Sequence, residues 1–241
     1  MMNFSVQQWS AWAPGLTGEA QWRAWFDTPH TPRDNDVPPP VDFLPPMQRR
    51  RLSRLARQVF HCAWPLAQAH APTPLVFLSR HGETPRGYEL LETLARDEPL
   101  SPTSFSLSVH NAIVGLWSIL RQETEEHVSL SADADLGIAF LEAGALLQEG
   151  APAVLLIIAE ETQPEAYRYW ANDVPFPYAV ALRLQAGQEW RMDHHDLTDG
   201  TPAPIPEGCP PVLSLLRHLA LDNAGSWHSP GAGPWSWQRT A

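Results

Sequence analysis

Between Leu75 and Ile158 the chain alternates short, wholly apolar runs with apolar helical stretches, and this constrains its fold more than any other feature. Leu75-Val76-Phe77-Leu78-Ser79, His127 to Ser131 and Ala153 to Ile158 read as strands. Val109 to Leu120 and Asp135 to Gln148 read as helices, the second closed by Gly150 as its C-terminal cap. A strand that is apolar on both faces must be covered on both, so helices belong above and below the sheet. The predicted fold class is therefore α/β, a layered mixed sheet with helices.

The flanks are less regular. Residues 3–13 have the alternation of a strand ended by Pro14-Gly15, and the helical stretch after it carries Trp22 and Trp25. Prolines at 29, 32, 38, 39 and 40 forbid regular structure and predict a long extended excursion over 29–40. From Met47 to about Trp64 the repeat of Leu52, Leu55 and Val59 predicts one helix, with Arg50, Arg54 and Arg57 on another face and Pro65 as its end. A further helix is expected from Tyr88 to Arg96. Tyr178 to Leu184 and Glu189 to Met192 predict an antiparallel pair turning at Gln185-Ala186-Gly187-Gln188. A helix from Pro211 to about Leu221 then precedes a Gly/Pro/Trp-rich tail, so the expected division is one domain over 1–223 and a tail over 224–241.

With 241 residues, 44% of them hydrophobic, the chain can bury one generous core. Its net charge of -11 argues against a nucleic-acid surface, which needs clustered basic residues to neutralise phosphates. Cys62 and Cys209 stand far apart without a metal-ligand or CxxC spacing, so neither a disulfide framework nor a zinc site is expected, and a reducing cytoplasm fits. No signal sequence is read at the N-terminus, and no apolar run reaches the roughly 18 residues of a membrane span. No cofactor or metal is called for by these patterns.

Three further segments carry a family likeness: Met47-Gln48-Arg49-Arg50-Arg51-Leu52-Ser53-Arg54-Leu55; Ser101-Pro102 through Val109-His110-Asn111-Ala112, with Gly115 and Ser118-Ile119; and the turn Ser131-Ala132-Asp133-Ala134-Asp135-Leu136-Gly137. In this order, over roughly residues 3–185, the chain resembles the N-terminal half of a beta-ketoacyl synthase, which has the thiolase fold. In that family the strand at 127–131 leads to a cysteine that takes the growing acyl chain as a thioester. A helix N-terminus there stabilises the thiolate, and backbone amides stabilise the oxyanion. Here the position is Ala134. The family's two C-terminal histidine motifs do not appear, and the chain is expected to stop before that half.

These departures resemble the chain length factors of type II polyketide and aryl polyene systems. The resemblance implies a protein with no catalytic residue of its own that forms a heterodimer with a catalytic ketosynthase, with an acyl carrier protein as a further candidate partner. It implies that Val128 and Leu130 lie on a strand pairing with the partner's. Phe105, Val109, His110, Asn111 and Trp117 would contribute to the interface or cap the partner's acyl tunnel, with Trp117 limiting chain length.

One other motif competes. A strand ending in Arg80-His81-Gly82-Glu83-Thr84 resembles the phosphohistidine loop of histidine phosphatases, in which an imidazole nucleophile sits beside arginine. Arg80, His81 and Glu83 would form that site. The motif usually follows the first strand, however, and its second His-Gly setting is missing; a strand-end turn is the plainer reading. His194-His195-Asp196 lies on a strand whose neighbours point to opposite faces, which disfavours a shared metal. The Arg49–Arg57 cluster reads equally as a dock for an acidic partner or as a solvated face. Glu160-Glu161 reads as a helix or loop start.

Overall fold

A computed structural model describes residues 1–132, 135–194, 208–221, 226–228 and 235–240. Its core is the alternation read in the sequence. The parallel strands β2 (Leu75–Leu78), β3 (His127–Leu130) and β4 (Val154–Glu160) stand in the order β3-β2-β4. Their crossovers run through α6 (Ala112–Arg121) and α7 (Leu136–Gln148). β2 and β4 share their side chains between two cores with a period of two. Leu75, Phe77, Leu155 and Ile157 pack with α6 and the long helix before it. Val76, Leu78, Val154, Leu156 and Ile158 pack with α7. The two crossovers run in opposite directions on opposite faces, and so share one hand.

The helices ahead of α6 are α1 (Glu19–Asp27), α2 (Pro46–Arg49), α3 (Arg54–Gln68), α4 (Thr84–Ala95) and α5 (Pro102–Ser106). The single helix expected from Met47 is two, because Ser53 leaves the helix and accepts the Ala56 N–H with its side chain, restarting the coil as an N-cap. Pro65 does not end α3. Its lost hydrogen bond is outweighed by Leu66 and Ala67, which continue the buried face one turn further.

β1 (Met2–Trp12) and β5 (Tyr178–His194) complete the centre of the sheet. The expected hairpin at 185–188 is instead a bulge inside one 17-residue strand: the partners of Phe4 and Ser5 jump from Trp190 to Gln185. β1 holds both halves in line, and a side chain at Gly187 would collide with Ser5, so glycine here permits close approach and not reversal. After α8 (Pro211–Ala220) come β6 (Ser226–His228) and β7 (Trp235–Arg239), and β7 pairs with the outer half of β5. The stretch read as a tail thus adds two strands to the sheet. Among the described residues no helix is long and apolar enough to cross a membrane, and no cluster of His, Cys, Asp or Glu is arranged for a metal ion.

Candidate functional site

In an α/β sheet, ligands meet the carboxyl ends of parallel strands. Here those ends are Leu78-Ser79, Leu130-Ser131 and Ile158-Ala159-Glu160. Glu160 is buried beneath the turn after β2: it accepts the Ser79 hydroxyl at 3.1 Å and the backbone N–H groups of Arg80 and His81. Burial pushes its carboxyl above the usual range against these donors. His110 Nε2 donates to the Ser79 carbonyl at 2.7 Å, and a side chain on Gly82, at φ +52°, would strike the His110 ring. Together these contacts fix a tight strand-end turn.

Arg80 and His81 both face Asp173. His81 Nε2 lies 3.0 Å from its Oδ1, and Arg80 Nη1 lies 3.1 Å from its Oδ2. Partial burial would raise the Asp173 pKa, but the His81 hydrogen bond and the neighbouring Arg80 win and hold it below the usual value. The groups a phosphatase would aim at phosphate already face a carboxylate, with Glu160 behind them. Glu83 is turned away from this pair, accepting Ser53 Oγ at 2.5 Å and lying 3.2 Å from Arg86.

A second polar junction ties the base of α3 to the sheet. Glu161 accepts the Leu55 N–H at 3.1 Å, and Arg54 lies 3.7 Å from it while pairing with Asp34 and Asp36 of the proline-rich excursion. That excursion is thereby clipped to the core. Burial pushes the Glu161 carboxyl up to about 7, and neighbouring Glu83 adds to the rise while Arg54 opposes it. Burial raises Glu83 as well. A carboxyl raised above its unfolded value contributes most stability below pH 4.5, and that contribution is lost as pH rises through about 7. Unfolding free energy is expected to fall by up to about 3 kcal/mol between pH 4.5 and 8 from this group. Chemical denaturation across that range should show the decline, and Glu161→Gln should flatten it.

The other exposed feature is an edge. β3 pairs with β2 on one side, and no described strand pairs with it on the other. Val128 and Leu130 are half-buried on it, and the adjoining α5–α6 segment leaves Phe105, Val109 and Ile119 exposed at 66%, 51% and 68%. An unprotected edge beside an apolar patch is a template for another chain. His110 turns inward to Ser79, while Asn111 stands exposed at the start of α6 without capping it.

Trp117 does not belong to that surface. It is 1% exposed, packed edge-on against Phe60 and Trp64, with Arg121 lying over Trp64 and Trp117 at 4.9 and 5.0 Å. The pitch of α6 turns position 117 to the core and 119 outward. Ala134, His195 and Asp196 lie outside the described residues. Next to position 134, Asp135 caps α7, accepting the Gly137 N–H at 2.9 Å. Burial pushes the thiols of Cys62 and Cys209 up, the latter to about 12, so neither offers a ready thiolate. Asp173 went unsingled in the sequence, because it sits in a loop without a motif, and Ile119 was read only as part of the family-like segment, being one apolar residue in an apolar helix.

The layered α/β domain, a mixed sheet covered by helices, has the thiolase-like fold of ketosynthases. The model of the beta-ketoacyl synthase N-terminal domain matches residues 22–238, and the chain belongs to that family. It is similar to a chain in the structure of a ketosynthase (ApeO) in complex with its chain length factor (ApeC) from Xenorhabdus doucetiae, with 30% identity and a TM-score of 0.86 over 99% of this chain and 100% of that one. It also superimposes on the ishigamide ketosynthase/chain length factor (14% identity, TM-score 0.60, covering 80% and 67%). A beta-ketoacyl synthase from Burkholderia phymatum gives 15% identity and a TM-score of 0.57, covering 84% and 67%. The last two are likenesses of fold. No curated protein matches the chain significantly.

Proposed function

We propose that this chain is the non-catalytic, chain-length-factor-like partner of a catalytic beta-ketoacyl synthase. It would form a heterodimer that elongates aryl polyene, polyketide or fatty-type chains in the cytoplasm. The observation that carries this reading is the open β3 edge flanked by exposed Phe105, Val109 and Ile119, in a chain similar along its length to one from a ketosynthase–chain length factor complex. Val128 and Leu130 would pair with the partner's strand, and Phe105, Val109, His110 and Asn111 would supply the surrounding contact. The chemistry would belong to the partner, because alanine at 134 cannot form a thioester and both cysteines lie elsewhere, with thiols pushed up by burial.

In a net acidic chain, Arg50 and Arg51 are exposed where α2 gives way to α3. Their positive charges would steer an acidic carrier protein toward the dimer. Co-expression with a full-length ketosynthase encoded nearby, followed by native mass spectrometry, is expected to give a one-to-one complex; a lone monomer or self-dimer would overturn the reading. Within such a complex Val109→Trp should shorten the product by projecting bulk from an exposed position, and an unchanged product would remove Val109 from the tunnel role.

A further inference from the structure

We propose that α4 and the groove beside it form a second docking site for the ketosynthase partner, which seats an apolar or aromatic side chain there. The proposal rests on the heterodimer reading and extends it beyond the β3 edge. α4 is a 12-residue helix in which no residue is buried. A helix that short is marginal in water unless a tertiary partner covers its apolar face. Here Leu91 and Leu94 are each 56% exposed, and with Tyr88 they follow one another at three-residue spacing. What fixes α4 is polar: Arg86 donates to the Arg51 carbonyl at 3.0 Å and to the Leu107 carbonyl at 3.3 Å.

Gly87 is the sharper observation. It stands inside α4, where glycine weakens a helix, and among the described residues a side chain built there would meet no atom within 4 Å. With Tyr88, Leu91, Ser108 and Tyr167 it lines a groove of about 480 Å³. That volume falls within the roughly 300–1,000 Å³ of sites that hold a compact group. Its far wall is built in advance: Tyr167 packs edge-on against Tyr88 with centroids 5.3 Å apart, and its carbonyl accepts the N–H groups of Trp170 and Ala171 at 2.9 Å. The same turn leaves Tyr169 and Trp170 exposed at 88% and 74%.

Position and area name the occupant. Ser108 lines the groove, and its neighbour Val109 belongs to the surface already read as the partner's. A stable interface takes about 800 Å² from each partner, or roughly 20–30 residues a side. The four residues of β3 with Phe105, Val109 and Ile119 fall far short of that, and the apolar surface that continues from Val109 is this groove with α4. A second copy of the chain is a poor match, because Glu89, Glu92, Asp97 and Glu98 lie on or just after α4 in a chain of net charge -11, so self-docking would bring like charges together.

Gly87→Leu fills the groove and tests the site. In the full chain titrated with the ketosynthase encoded nearby, it is expected to weaken association at least tenfold by analytical ultracentrifugation. The unfolding temperature of the unmixed chain should hold or rise, since leucine is the better helix former. A complex of parental strength with Gly87→Leu would overturn the site and leave the heterodimer standing. Failure of the parent chain itself to bind the ketosynthase would overturn both. Self-association of the parent that Gly87→Leu abolishes would give the groove to a second copy and overturn the ketosynthase as occupant. Should Gly87→Leu lower the unfolding temperature, Leu91→Asp, at an exposed position, decides on the same terms.

Discussion

Replacing Phe105 and Ile119 together by aspartate is expected to abolish stable association with a ketosynthase partner at micromolar concentration. Buried aromatic and aliphatic anchors at the centre of an interface contribute about 2 kcal/mol or more each, so the pair should weaken binding by roughly a hundredfold or more. Both side chains are about two-thirds exposed in this chain, at 66% and 68%, so their loss removes little from its own core. Unfolding temperature should therefore stay within about 2 °C of the parent, because surface changes usually cost under about 0.5 kcal/mol. Titration by analytical ultracentrifugation, with thermal melts of the same samples, separates the two effects. Full-strength association of the double variant would place the interface elsewhere.

Trp117→Ala is expected to act in the opposite way, on stability and not on a surface. Phe60, Trp64 and Arg121 all rest against its indole, and its Nε1 donates to buried Glu123 at 3.2 Å. Removing a buried tryptophan typically costs about 3–5 kcal/mol. The loss here should sit at the upper end, because Glu123 would lose a donor while Arg121 loses part of its aromatic seat. Midpoint denaturation in urea should drop accordingly, with unfolding temperature lower by roughly 10 °C. A variant of parental stability whose products nonetheless change length would contradict the inward placement.

The two substitutions lie on one helix and show where sequence reasoning stops. α6 was legible because Ala112 to Leu120 is almost entirely apolar, and a helix apolar all round must be covered all round. The same uniformity erased the information on which side chains would be covered by this chain and which by another. Trp117 and Ile119 look equivalent in the sequence, and only the position of α3 and its Phe60-Trp64 face tells them apart. At 185–188 local turn chemistry pointed to a reversal, yet β1 supplies partners to both sides and turns the glycine into a bulge. Pro65 likewise marked a stop that packing of Leu66 and Ala67 overrode.

By itself the sequence determined the layered α/β class and the order of β2, α6, β3, α7 and β4. Both are written in local patterns, period-two and period-3.6 apolar spacing. Tertiary structure decided what joins residues far apart in the chain: Asp173 against Arg80 and His81, Glu161 under α3, β3 left at the sheet edge, and Trp235 on Gly137. Those contacts depend on which faces two elements bury against each other, a choice made by the packing of the whole sheet and carried by no short stretch of the chain.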